Sequence, residues 1–134
     1  MIPYGQQDIS KEDIDEVISV LESDFLTQGP KVPLFEDSLA RTVDAKYAVA
    51  MNSATSALHS ACIALGVEQG DNVWTSPISF VASANCAIYC GAAVDFVDIN
   101  PRTYNICPDA LEKKLIQAKG NASLPKVVIV VHLS

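Results

Sequence analysis

Between Tyr47 and Gly66 the chemistry of the chain changes twice, and that change narrows what the chain can become. Tyr47-Ala48-Val49-Ala50 reads as the end of an apolar strand, and Met51 opens a stretch of small residues, Asn52-Ser53-Ala54-Thr55-Ser56. An Ala/Leu-rich run follows and closes at Gly66, so the spacing predicts a strand, a tight turn and a helix. Ser53, Ala54, Thr55 and Ser56 carry no bulk. The unpaired N–H groups of the first helical turn can therefore face a ligand beside the hydroxyls, and the natural guest is an anion such as phosphate. The same residues also serve a plainer purpose, an N-cap that only begins a helix.

The remaining elements repeat that alternation. Ser10 with Asp13 three residues later marks a helix start, with Ile9 and Ile14 as a staple and Ile14, Val17, Ile18 and Leu21 at helical spacing on an amphipathic surface helix. Asp24 to Pro30 is a loop whose Phe25 and Leu26 are apolar residues that a plain linker would not need and that a ligand or a second subunit could cover. Pro33 suits the first turn of a second helix, with Leu34, Phe35, Leu39 and Val43 on its buried side. Further along, Asn72–Thr75 and Ala93–Asp98 read as strands, and Ile78–Tyr89 and Asp109–Lys119 as helices, the latter with Leu111, Leu115 and Ile116 inward. The β-branched run Lys126–Val131 predicts a strand buried on both faces and therefore central in a parallel sheet. Four strand candidates joined by helical crossovers predict an α/β fold, and with the last strand candidate at the end of the chain the expectation is the N-terminal part of a larger protein.

Composition excludes several function classes. A net charge of −7 and a pI near 4.6 leave no basic stripe for nucleic acid or an anionic membrane surface. No apolar run reaches the roughly 20 residues of a membrane span, and the first ten residues lack a secretory pattern, so the expected location is the cytoplasm. Cys62, Cys86, Cys90 and Cys107 are expected as free thiols. Cys86 and Cys90 share a helical face, but no further ligand completes a metal site, and none is expected. No Gly-rich dinucleotide fingerprint and no Gly-Lys-Ser/Thr loop is present. A second strand-end loop, Thr75 to Phe80, is expected on the same sheet edge as the turn at Asn52–Ser56, which would bring Phe80 near the anion, either stacked on a flat ring or packed as core. Tyr4 reads the same two ways, as a packing anchor or an aromatic platform. His59 and His132 are tied to no nucleophile by spacing, and Asp95 and Asp98 point to opposite strand faces, with Asp98 placed to cap the turn toward Asn100.

These segments together carry a resemblance. Phe25-Leu26-Thr27-Gln28-Gly29-Pro30, Phe35-Glu36, Tyr47-Ala48-Val49-Ala50, Asn52 to Leu58, Gly70-Asp71, Phe80 to Asn85 and Phe96-Val97-Asp98-Ile99 are similar to the DegT/DnrJ/EryC1/StrS sugar-nucleotide aminotransferases, over essentially the whole chain. The resemblance implies pyridoxal 5'-phosphate as cofactor and the three-layer α-β-α, mostly parallel large domain of the aspartate-aminotransferase fold (fold type I), truncated. Residues 1–30 would be its N-terminal helix and substrate-side loop, and residues 31–134 an incomplete α/β core. It further implies a homodimer that moves an amino group from glutamate to C4 of a UDP-linked 4-keto-6-deoxy sugar, as in pseudaminic acid biosynthesis, when part of a longer chain.

Residue by residue, Ser53, Ala54 and Thr55 fall at the cofactor phosphate, Phe80 on the ring, and Tyr4, Leu26, Thr27, Gln28 and Ser56 on the substrate side. Position 54 is Ala where many members have Gly, which keeps backbone approach open but suits a positive φ less well. The lysine that bonds the cofactor is expected beyond Ser134, since none of Lys113, Lys114, Lys119 or Lys126 matches it, and the 134-residue chain alone is expected to be inactive. Two other readings stay open: a relative without that lysine acting as a dehydratase or regulatory binder, and a cofactor-free domain that binds a phosphate or nucleotide sugar.

Overall fold

Trp74 has a strand on either side of it running in its own direction, and its position sets the order of the sheet. The computed structural model of the protein describes residues 5–133. In it β1 (Asn72–Thr75), β2 (Ala93–Phe96) and β3 (Val127–Ile129) form a parallel sheet in the order β2-β1-β3, with Trp74 opposite Asp95 on one side and Val128 on the other. Backbone contacts divide the chain into two compact units, Met1–Ala50 and Met51–Ser134, and the sheet lies in the second.

Successive side chains of a strand point to opposite faces, so β1 feeds two cores. Val73 packs with Cys62 of α3 (Ala54–Ala64), with Cys86 and Ala87 of α4 (Ala82–Tyr89), and with Val67 and Ala92. Trp74 turns the other way, to Val97, Ile106 and Ala118, joined by Leu111 and Leu115 of α5 (Pro108–Gly120). Helices on both faces of a parallel sheet make the expected α-β-α layering. Cys62, Cys86, Cys90 and Cys107 are free thiols, and burial beside the Cys86 sulfur pushes the Cys62 thiol up to about 11.

Several expectations are corrected in this unit. Among the described residues β3 is an edge strand, not a central one, because β1 occupies the middle and leaves β3 a partner on one side only. The helix expected from Ile78 begins at Ala82. The residues before it are held in a loop by the Ser76 hydroxyl donating to the Ile78 carbonyl at 3.3 Å and by Ser79 and Ser83 hydroxyls 2.6 Å apart. Ile116 is exposed where Leu111 and Leu115 are half-buried, since the inward side of α5 is narrower than the apolar spacing implied. Asp98 does not reach the Asn100 turn. Its carboxylate accepts the Ile99 N–H at 2.9 Å, and Asn100 closes the turn by accepting from Arg102 at 2.9 Å.

The first unit holds α1 (Lys11–Leu21) and α2 (Lys31–Thr42). The capping box at the start of α1 is complete: Asp13 N–H donates to Ser10 Oγ at 3.2 Å and Ser10 N–H to the Asp13 carboxylate at 2.8 Å. Lys31 at the start of α2 pairs with Glu16 of α1. Leu34, Phe35, Leu39 and Val43, expected on a buried side, are exposed, and Ala40 is the buried residue of α2. Two short helices offer no second layer within this unit to cover an apolar stripe. Tyr47–Ala50 is extended but joins no ladder among the described residues, so the predicted fourth strand is absent there; the Ala50 N–H donates instead to Glu36 Oε1 at 2.7 Å.

Candidate functional site

The start of α3 is where the local sequence and the fold agree most closely. Ser53 is extended (φ −161°, ψ 155°) and its Oγ accepts the Ser56 N–H at 3.1 Å, while Ala57 N–H makes the first intrahelical bond, to the Ser53 carbonyl at 3.0 Å. Ser56 is thus tied into the cap. The first turn leaves the N–H groups of Ala54 and Thr55 without an intrahelical acceptor, beside the hydroxyl of Thr55 and that of Ser53, which donates to Ser56 Oγ at 3.1 Å. No carboxylate stands in that turn, and the helix dipole adds partial positive charge. Ala54 is the first helical residue, so the position needs no left-handed backbone and alanine satisfies it. A phosphate group fits this end of the helix on donor count and charge.

Phe80 lies in the loop after β1 and is 75% exposed. This decides against the core-packing alternative within the described residues. Its ring lines a cavity of about 210 Å³ with Thr75, Ser76, Ser83 and Phe96, at the carboxyl ends of β1 and β2. Ser53 to Ser56 do not line that cavity. Phe96 was not singled out from sequence; a strand-end aromatic beside Phe80's expected edge was the available signal.

Leu26 and Gln28 line a separate cavity of about 340 Å³ in the first unit, together with Val20, Phe25, Gly29 and Val32. Thr27 is exposed and does not line it. Gln28 takes a left-handed backbone (φ 55°), and a Cβ placed on Gly29 would lie 2.9 Å from the Phe25 Cβ, so the loop is folded tightly on itself. Tyr4 lies outside the described residues.

Other titratable groups take structural places. His59 meets the Tyr89 ring edge-on at 5.3 Å, a packing contact between α3 and α4. Asp95 pairs with Lys114 at 2.6 Å, and that hydrogen bond holds its carboxyl below the usual carboxylate range despite partial burial. The lysine of this pair was considered from sequence only as a family match; its place over Trp74, with its ammonium 4.7 Å from the ring centre, had no local signal. Among the described residues no group of three His, Cys, Asp or Glu side chains is placed to hold a metal ion, and no helix is long and apolar enough to cross a membrane.

The layers and the helix start define an α/β domain with an anion-binding helix end. The structure superimposes on Helicobacter pylori PseC, an aminotransferase involved in the biosynthesis of pseudoaminic acid, with a TM-score of 0.86 and 34% identity over 98% of this chain and 34% of that one. Among curated relatives, the spore coat polysaccharide biosynthesis protein SpsC of Bacillus subtilis is 49% identical over 83% of this chain and 28% of its own length. The UDP-4-amino-4,6-dideoxy-N-acetyl-beta-L-altrosamine transaminase of Campylobacter jejuni is 41% identical over 96% of this chain and 34% of its own. The chain belongs to the DegT/DnrJ/EryC1/StrS aminotransferase family, which it matches over residues 7–134. Pyridoxal phosphate is the cofactor of that family. The chain spans about a third of the length of these relatives.

Proposed function

We propose that this chain is the N-terminal part of the cofactor-binding large domain of a cytoplasmic, homodimeric sugar-nucleotide aminotransferase. The complete protein moves an amino group from glutamate to C4 of a UDP-linked 4-keto-6-deoxy sugar. The observation that carries the reading is the start of α3, where Ala54 and Thr55 offer free N–H groups beside two hydroxyls in a chain of this family. The names of PseC and of the Campylobacter transaminase support the sugar; the name of SpsC supports sugar chemistry more broadly.

In this reading the backbone of Ala54 and Thr55, with Ser53 and Thr55 Oγ, binds the cofactor phosphate and fixes it against rotation. Phe80 covers one face of the ring and keeps water from it. By the family resemblance Leu26, Thr27 and Gln28 of the first unit are assigned to the sugar-nucleotide side, as is Ser56 of the second. When bound, pyridoxal phosphate supplies the electron sink through which the amino group passes. The lysine that bonds the cofactor lies on a later segment in this reading, so residues 1–134 alone bind and orient but do not turn over.

The intact mass of the natural protein after borohydride reduction tests this directly. A chain much longer than 134 residues carrying a reduced pyridoxal phosphate adduct on lysine is the expected result. A longer chain with no adduct points to the lysine-less relative or the cofactor-free binder, and a native mass equal to residues 1–134 overturns the proposed catalysis. Incubation of the adduct-forming protein with glutamate and a UDP-linked 4-keto sugar then tests the substrate.

A further inference from the structure

β2 is an edge strand among the described residues, yet its last residue, Phe96, supplies a wall of the cavity that Phe80 lines. An edge strand has ladder bonds on one side only, so something else must keep its end in place. Beyond it, the Val97 N–H donates to the Thr75 carbonyl at 2.9 Å. From the opposite side comes Lys114 of α5. Its ammonium donates to the Phe96 carbonyl at 2.5 Å and to Asp95 Oδ2 at 2.6 Å, and it stands 4.7 Å over the ring centre of Trp74, which is 3% exposed. The Lys114 side chain is itself only 25% exposed, which strengthens charge-assisted bonds relative to those in open water.

We propose that Lys114 is the positioning residue of the strand-end cavity: by joining the Phe96 carbonyl, Asp95 and the Trp74 ring, it holds the end of β2 with Phe96 in the cavity wall. The link from this cavity to a cofactor ring rests on the proposed function, but the positioning does not. Two other lysines of the same stretch, Lys113 and Lys119, are exposed, so their substitution is the control.

Amide hydrogen exchange and aromatic-ring NMR on the complete protein test it. In Lys114→Gln the Val97 amide is expected to exchange at least about tenfold faster, as for loss of a hydrogen bond to a charged group. The ring signals of Phe80 and Phe96 shift, while amides of the α3–α4 core, such as Ala87, keep their protection. Lys114→Arg restores both signals, and Lys113→Gln changes neither. Unchanged Val97 exchange and ring signals in Lys114→Gln overturn the proposal. Should that variant fail to fold, Asp95→Asn takes its place, with exchange at Val97 about two- to threefold faster supporting the proposal and no change overturning it. Binding of pyridoxamine phosphate to the complete protein, followed by its absorbance, separates the two readings. A wild-type chain that does not bind it counts against the proposed cofactor site and leaves the exchange result standing.

Discussion

β1 and α2 are both short and both carry apolar residues, yet they end in opposite environments. Val73 of β1 is fully buried, and Trp74 and Thr75 nearly so, because layers lie on both faces of the sheet. Leu34, Phe35, Leu39 and Val43 keep the helical spacing of a core-facing stripe and remain between 40% and 60% exposed. Periodicity therefore reports that a face is apolar; whether it is covered depends on whether a second layer exists.

Substitutions that probe the covered side are expected to have the largest effects. Val73→Asp places a carboxylate in the core between β1, α3 and α4 and should cost more than about 3 kcal/mol, enough to abolish cooperative unfolding followed by Trp74 fluorescence. Gly29→Ala, in the tight loop of the first unit, drives a methyl group against the Phe25 Cβ. A loss of about 1–3 kcal/mol in thermal unfolding is expected, with a changed cavity at Leu26. Phe35→Ser should change stability by no more than about 0.5 kcal/mol, since its ring is 58% exposed. A cost of several kcal/mol for Phe35→Ser would break the contrast, because the stripe would then be covered in solution.

The legible parts of the molecule are those decided within a few residues. Ser10 with Asp13 places a helix start by hydrogen bonds that span three positions and formed as read, while at α3 an N-cap was one of two readings and its partner, Ser56, was not named as such. Pro108 begins α5 for the same local reason, its fixed φ suiting a first turn. Tyr47–Ala50 failed as a strand because a strand needs a neighbour, and no composition supplies one. The α4 start was read four residues early because hydroxyl bonds from Ser76 and Ser79 were not visible as periodicity. Of the candidate site, the free N–H groups of Ala54 and Thr55 were legible as backbone chemistry. The presence of Phe80 and Phe96 in one cavity wall, and the reach of Lys114 across eighteen positions to the Phe96 carbonyl, are consequences of strand order.

The buried thiols between α3 and α4 have a use beyond packing. With Cys62 near 11, only about one thiol in ten thousand is in the reactive thiolate form at pH 7, and Cys62 is 2% exposed and Cys86 fully buried. An alkylating reagent therefore marks either sulfur only while the two helices are parted. The helix that begins with Ser53 thus carries its own recorder, and the rate at which label accumulates at Cys62 measures how often that layer opens.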